Sequence, residues 1–147
     1  MINLVKAPFE KEAKDQFVQN FGRQPTYEEF NAYTHAYVSA KFVKNINNNT
    51  FGIAGNWGAR QIGNVNEMRP NNSPHERAKD QYNNAVGRKI GSQPNTTNDS
   101  NGKNVADTLR NGGLRLKADS PKEFEHNPNG EAGHWVTING NHIFIKN

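Results

Sequence analysis

The segment that most constrains the fold runs from Thr26 to about Ile46. It opens with a capping box, Thr26-Tyr-Glu-Glu29, in which the Thr and Glu side chains each satisfy a free backbone N–H at a helix start. On a helical wheel the helix that follows has two apolar sides, formed by Phe30, Tyr33, Ala36, Tyr37 and Ala40 and by Val38, Phe42 and Val43. A helix that is apolar nearly all round is typical of the centre of a domain. The other elements are therefore expected to pack around it.

Two further helices are indicated by apolar spacing and by end signals. Apolar residues four apart predict a first helix, which Gly22 and Pro25 end. These apolar residues are Phe9, Ala13, Phe17 and Phe21. A second capping box, Ser73-Pro-His-Glu76, begins a later helix that is expected to run to Ile90 and to end at Gly91.

The polar stretch 92–104 separates that helix from the C-terminal part of the chain. It consists mostly of Asn, Thr, Ser and Gly, a composition typical of a mobile loop. A short helix over 105–111 is expected to follow it. The whole chain, 1–147, is predicted to be one domain with a helical core over about 9–112.

A β-hairpin is the clearest element of the C-terminal part. Residues 135–138 and 141–145 have strand composition and flank an Asn-Gly dipeptide, the favoured two-residue turn, so a hairpin is predicted over 134–146. The expected pairs are Ile138 with Asn141, Thr137 with His142, Val136 with Ile143, and Trp135 with Phe144. Both faces are apolar, so one should pack on the helices and the other should bind a partner through Trp135 and Phe144. The predicted fold class is mainly α: a single helical domain of three to five helices with a C-terminal β-hairpin.

Composition excludes several classes of function. The chain has no cysteine, which excludes a thiol nucleophile, disulfides and Cys-ligated zinc. It has no apolar run long enough for a signal peptide or a transmembrane segment, so synthesis in the cytoplasm is expected, followed by packaging into a virion or export by another machine. The net charge of +4 suits anionic partners, but Lys and Arg are scattered and no groove-reading motif is present, so nucleic acid is not the expected partner.

A group of polar residues on two helices could carry chemistry. Asp80, Asn84 and Arg88 recur every fourth residue and share one helix face, with Asn83 beside them. A histidine facing a carboxylate across two antiparallel helices is a plausible general-base pair, and His35 lies on the central helix. Glu67 is a second carboxylate that could orient this ring. Asn83, Asn84 and Arg88 could then bind substrate by holding an anionic or carbonyl oxygen.

An ordinary structural reading explains the same residues. A ladder from Asp80 to Arg88 is common on solvated helix surfaces, because oppositely charged side chains at this spacing stabilise a helix. A histidine such as His35 is often a core residue that is hydrogen-bonded to a neighbour. Spacing alone therefore leaves both readings open.

Three segments in this order resemble an uncharacterised domain family of bacterial wall-associated, toxin-like and phage proteins. They are His35-Ala-Tyr37, Ala59-Arg-Gln-Ile-Gly-Asn-Val-Asn-Glu67 and Asp80-Gln-Tyr-Asn-Asn-Ala-Val-Gly-Arg-Lys-Ile-Gly91. The resemblance covers about residues 30–116 and implies that the site residues are His35, Glu67, Asp80, Asn83, Asn84, Gly87 and Arg88. The chain departs from the family pattern at Thr34, where the family tends to have Arg, and at Asn64 and Asn66, where it tends to have Asp and His. The missing second His argues against a metal or two-histidine mechanism.

Two functions follow as expectations. The first is a phage- or secretion-associated hydrolase that acts on bacterial envelope material, either wall polymer or phospholipid, through a His–carboxylate dyad without metal or cofactor. Such a dyad on paired helices also resembles the phospholipase A2 arrangement, although the calcium loop and its cysteines are absent. The second is a non-catalytic virion or partner-binding protein that docks on another phage or secretion protein through its hairpin. The tail 133–145 resembles a motif of phage minor head proteins, and the 24 asparagines suggest an A- and T-rich genome such as that of many phages.

Overall fold

The computed structural model describes residues 2–49, 74–117, 125–126, 129 and 131–146. These residues form α1 (Ile2–Phe21), α2 (Tyr27–Asn49), α3 (Pro74–Gly91), α4 (Asn98–Arg110), β1 (Glu125–His126), β2 (Ala132–Ile138) and β3 (Asn141–Lys146). The predicted fold class, a mainly α domain with a C-terminal β-hairpin, is confirmed. Among the helices in the described ranges, none is long and apolar enough to cross a membrane.

The second helix is the centre of the core, as its two apolar sides predicted. Every residue from 32 to 40 is buried, and α1, α3 and α4 all pack against this helix. The Tyr33 ring meets the Phe17 ring of α1 edge to face, with centroids 5.4 Å apart. Burial raises the pKa of Tyr33, so its hydroxyl stays protonated and donates a hydrogen bond to the Gly102 carbonyl of α4 at 2.8 Å. One aromatic side chain thus connects three helices.

Two glycines let α3 lie directly against α2. A Cβ built on Gly87 would overlap the backbone carbonyl of Ala36, and a Cβ on Gly91 would overlap that of Ala40. Each helix therefore presents a pair of small residues four apart to the other helix. The backbones approach so closely that only a hydrogen atom fits between them at these positions.

The α2 and α3 helices run in the same direction, which corrects the antiparallel arrangement expected above. Asn31 contacts Lys79, His35 contacts Asn84, and Ala40 faces Gly91, so residue numbers rise together along both helices. Antiparallel neighbours are typical of short connections, whereas residues 50–73 separate these two helices.

The predicted loop over 92–104 was wrong in its second half, because α4 begins at Asn98. Thr97 caps this helix: its side chain accepts a hydrogen bond from the Ser100 backbone N–H at 3.0 Å, and the Ser100 hydroxyl accepts one from the Thr97 N–H at 2.8 Å. This capping box uses Ser where Glu or Gln is usual, so the polar composition concealed a helix start.

The hairpin has the predicted register, with Ile138 opposite Asn141 and Trp135 opposite Phe144. It gains a third strand, because β1 pairs antiparallel with the beginning of β2. Val136 is fully buried in the main core, and the Thr137 backbone N–H donates a 2.9 Å hydrogen bond to the Thr108 hydroxyl of α4. The β2 strand is therefore part of the core and is not a detachable appendage.

The turn between α1 and α2 contains the predicted capping box. The Thr26 N–H donates to the Glu29 carboxylate at 2.9 Å, and the Glu29 N–H donates to the Thr26 hydroxyl at 3.2 Å. Arg23 binds the same carboxylate through both terminal nitrogens at 2.9 and 2.8 Å. These contacts, led by the Arg23 hydrogen bond, lower the pKa of Glu29 from 4.5 to about 2.

We predict that Gly87→Ala lowers the free energy of unfolding by about 3 kcal/mol, because the added methyl group overlaps backbone that cannot rotate away. Chemical denaturation measures this change. Gln81→Ala, at an exposed position of the same helix, is the control and should stay within about 0.5 kcal/mol of the wild type. A similarly small effect of Gly87→Ala would refute the close packing of α2 on α3.

The capping box predicts a pH dependence of stability. The pKa of Glu29 is lower in the folded chain than its ordinary value of 4.5. Its contribution to stability is therefore fully present above about pH 4.5 and is lost as the pH falls towards 2. Thermal unfolding should therefore show a deficit of Glu29→Gln against the wild type at neutral pH that shrinks through this acid range. Glu28→Gln removes the same charge at the neighbouring exposed position and is the control. A deficit that stays constant down to acid pH would contradict this role of the ion pair.

Candidate functional site

A polar layer lies between α2 and α3, on one side of the glycine contacts. Three of its residues are spaced four apart on α2, and the others face them from α3. We name as the α2–α3 polar layer the residues Asn31, His35, Ser39, Lys79, Asp80 and Asn84. All of these except Asn31 are buried, with 5 % or less of their surface exposed. Burying so many polar groups is costly unless each finds a partner, so their contacts decide what the layer can do.

The His35 ring is held between two residues of α3. Its Nε2 lies 3.6 Å from Oδ2 of Asp80, and its Nδ1 lies 2.9 Å from Oδ1 of Asn84. The Ser39 hydroxyl donates to the same Asn84 oxygen at 3.2 Å. The structure thus brings together two sequence-predicted candidates, Asp80 and Asn84, with the predicted histidine.

These contacts restrict where the ring protons can be. A carboxylate accepts and does not donate, so the Asp80 oxygen 3.6 Å away favours a proton on Nε2. If the Asn84 oxygen faces Nδ1, that nitrogen also carries a proton and the ring is a cation. The oxygen and nitrogen of an amide are told apart only by their hydrogen bonds, so the Asn84 amide can also be placed turned by 180°. In that orientation its Nδ2 donates to Nδ1 and the ring is neutral. The orientation of the Asn84 amide thus decides whether Nδ1 carries a proton or accepts a hydrogen bond.

Lys79 extends the layer on the far side of Asp80. Its Nζ lies 3.5 Å from Oδ1 of Asp80, and it donates to Oδ1 of Asn31 at 3.0 Å. It also lies 3.1 Å from a carboxylate oxygen of Glu76, whose side chain is 42 % exposed. A row of charged groups therefore runs from solvent at Glu76 to the buried ring.

Asn83 is buried but does not face the ring. Its Nδ2 donates to the Arg115 carbonyl at 2.9 Å, and its Oδ1 accepts from the Arg115 N–H at 2.8 Å. The amide thus pairs with backbone as a neighbouring strand would, and it fixes the chain that follows α4. Both ends of the side chain are used in this way, which favours a structural role over the predicted role in substrate binding.

The remaining predicted site residues are placed as follows. Arg88 is half-buried, one helical turn beyond Asn84. Glu67 lies outside the described residues. Trp135 and Phe144 are half-buried on the hairpin; the Trp135 ring stacks on His142 at 4.7 Å and meets Phe144 edge-on at 5.0 Å. Within the described segments no group of three or more His, Asp or Glu side chains is placed to hold a metal ion.

Sequence reasoning missed three members of the layer: Asn31, Ser39 and Lys79. Asn31 and Ser39 could have been predicted from the sequence, because they lie one turn before and one turn after His35 and form a polar stripe with it on α2. Lys79 gave no such signal, since a lysine beside an aspartate is usually solvated. Only the packing of α3 on α2 shows that its ammonium group is buried.

The fold and the site define a small α-helical domain with a buried His–Asp pair on two parallel helices. A family model described as "Domain of unknown function (DUF6973)" matches residues 3–112, the larger part of the chain. The chain therefore belongs to the DUF6973 family. The matched range covers α1 from its second residue and extends past the end of α4. The family description contains no link to wall-associated, toxin-like or phage proteins, so that resemblance stays a prediction. Neither the curated proteins nor the solved structures contain a match to this chain.

We predict that Asn83→Ala lowers the free energy of unfolding by about 2 kcal/mol, because two part-buried hydrogen bonds to the Arg115 backbone are lost. Urea denaturation measures the loss, and Asn20→Ala, whose amide donates a part-buried hydrogen bond to the Gln16 carbonyl of its own helix, should cost clearly less. Hydrogen exchange should also show a faster-exchanging Arg115 amide in Asn83→Ala. A protected Arg115 amide in that variant would contradict the assigned role.

Proposed function

We propose that this protein hydrolyses an ester or amide bond in bacterial envelope material, with His35 as the general base and Asp80 as the residue that orients it. The observation that carries the proposal is the His35 ring held between the Asp80 carboxylate and the Asn84 amide. Apolar side chains would pack α2 against α3 without the cost of burying these groups. Buried clusters of titratable groups are common where chemistry needs them, which supports a catalytic role.

The proposed reaction uses Nδ1 of His35 as the proton acceptor. Asp80 holds the proton on Nε2, so the lone pair of Nδ1 takes a proton from water while the water oxygen attacks the substrate carbonyl carbon. Nδ1 then returns that proton to the leaving alcohol or amine as the bond to the carbonyl carbon breaks. Because Asn84 occupies the hydrogen-bonding position at Nδ1, the attacking water must displace its amide. The displaced amide and the Arg88 guanidinium can then stabilise the negative oxygen.

The chemistry of this site favours acyl substrates over glycosidic bonds. Glycoside hydrolysis in most families uses two carboxylates on either side of the bond, whereas this layer is centred on a histidine. The expected substrates are therefore peptide or ester bonds of wall polymer and the acyl esters of phospholipids. The positive net charge of +4 supports binding to either material, since both are anionic.

The route to the envelope is part of the proposal. The resemblance to wall-associated, toxin-like and phage proteins, together with the asparagine-rich composition, supports a protein that is packaged in a virion or exported by a secretion machine. No metal or cofactor has a part in the proposed reaction.

We predict that His35→Gln lowers hydrolysis of purified walls or of liposomes of anionic phospholipid by about 10²–10⁴-fold, the usual contribution of a general base. Release of wall fragments and of free fatty acid are the two readouts. His142→Gln, which changes an exposed histidine of β3, is the matched control and should keep wild-type activity. A folded His35→Gln protein with wild-type rates would refute the proposal.

A second candidate function is a non-catalytic virion or partner-binding protein. The burial of the pair favours it, because the His35 and Asp80 side chains are only 4 % and 6 % exposed and a substrate reaches neither without movement. In this case the partner would be another phage or secretion protein, bound by Trp135 and Phe144. Purified virions would then contain the wild-type chain and lack Trp135→Ala, as measured by mass spectrometry. Truncation of the hairpin is unsuitable as a test, because Val136 belongs to the core.

A further inference from the structure

We propose that Lys79 is a positioning residue that holds the Asp80 carboxylate against the His35 ring. Its catalytic consequence rests on the proposed function, but its effect on the geometry does not. No sequence pattern predicted a role for Lys79, and only the packing of α3 on α2 shows where its side chain lies.

The first argument is the burial of the ammonium group among charged and polar partners. Nζ has three N–H donors, and three oxygen atoms lie close to it: Oδ1 of Asn31 at 3.0 Å, Oε2 of Glu76 at 3.1 Å and Oδ1 of Asp80 at 3.5 Å. The side chain is only 6 % exposed, although a lysine is rarely buried without such partners. The ammonium group is therefore buried against an amide oxygen of α2 and two carboxylates, and its contact with Asp80 is an ion pair rather than a hydrogen bond.

The second argument is the position of Lys79 relative to the ring. Lys79 approaches one oxygen of Asp80, and His35 approaches the other. The carboxylate is therefore held from both sides, which restricts rotation about its Cβ–Cγ bond. Replacing the lysine would remove the contact on the Oδ1 side of this carboxylate.

The third argument is the connection back to α2. Asn31 accepts from Lys79 and lies one helical turn before His35 on the same helix. The ammonium group thus connects the helix that carries Asp80 to the helix that carries the ring. A shift of α3 away from α2 would therefore stretch the contact between Lys79 and Asn31.

The test follows the Nε2–H proton of His35 by NMR on ¹⁵N-labelled full-length protein. The resonance is assigned by its loss in His35→Gln. We expect a slowly exchanging Nε2–H in the wild type and its loss in Lys79→Met, where the carboxylate loses the ion pair at Oδ1. Lys79→Arg keeps the charge and should restore the signal. Lys103→Met removes an exposed lysine of α4 that also pairs with an aspartate, and it should leave the signal unchanged.

A second variant keeps the test decisive if Lys79→Met does not fold. Asn31→Leu leaves the ammonium charge in place but removes its contact with α2, and we expect exchange of the His35 Nε2–H to become about tenfold faster. An unchanged Nε2–H in folded Lys79→Met, or in Asn31→Leu where only that variant folds, overturns the proposal.

The activity measurement separates this proposal from the function it deepens. If the protein is a hydrolase, Lys79→Met should lower kcat about tenfold with little change in KM, and Lys79→Arg should recover most of it. If His35→Gln hydrolyses at the wild-type rate, the proposed function fails, and the NMR result still decides the role of Lys79. A lost Nε2–H signal with unchanged kcat would keep Lys79 as a positioning residue and remove Asp80 from catalysis.

Discussion

The close approach of α3 to α2 is the contact on which the rest of the structure depends. Gly87 and Gly91 lie against the backbone of Ala36 and Ala40, and no larger residue fits there without moving a helix. Because the backbones touch on one side of this contact, side chains on the adjacent side are brought within hydrogen-bonding distance of each other. The His35 ring meets α3 in that space. The glycines of the Asp-x-x-Asn-Asn-x-x-Gly-Arg-x-x-Gly segment are thus structural, and they make the polar contacts of the same segment possible.

The α2–α3 polar layer is compatible with both a structural and a catalytic role. Its charges are paired from the half-exposed Glu76 through Lys79 to Asp80, so the layer is compatible with a stable core. At the same time Nδ1 of the ring faces the Asn84 amide, which can accept or donate a hydrogen bond according to its orientation. The burial of the pair means that catalysis would require the amide of Asn84 to move.

Much of the fold could be predicted because local signals were strong. Each of these signals depends on a few neighbouring residues: the Thr26 capping box, the apolar residues four apart in α1, and the Asn-Gly turn. The hairpin register follows from the turn length alone. The start of α4 was missed, because Thr97 and Ser100 form a capping box within a polar stretch that resembles a loop. The relative direction of α2 and α3 and the burial of Lys79 were missed for another reason: both are set by packing between distant segments. Spacing placed Asp80 and Asn84 on one helix face, but it did not show that Asn83 turns away to bind the Arg115 backbone.

The most direct test of the account is a double-mutant cycle between His35 and Asp80, measured by chemical denaturation of the wild type, His35→Gln, Asp80→Asn and the double variant at one fixed pH. The two residues lie on different helices and are far apart in sequence, so coupling between them requires the contact across α2 and α3. The account predicts a coupling free energy of about 1 kcal/mol or more. Effects that add to within about 0.3 kcal/mol would mean that the two side chains do not interact, and the site described here would not exist.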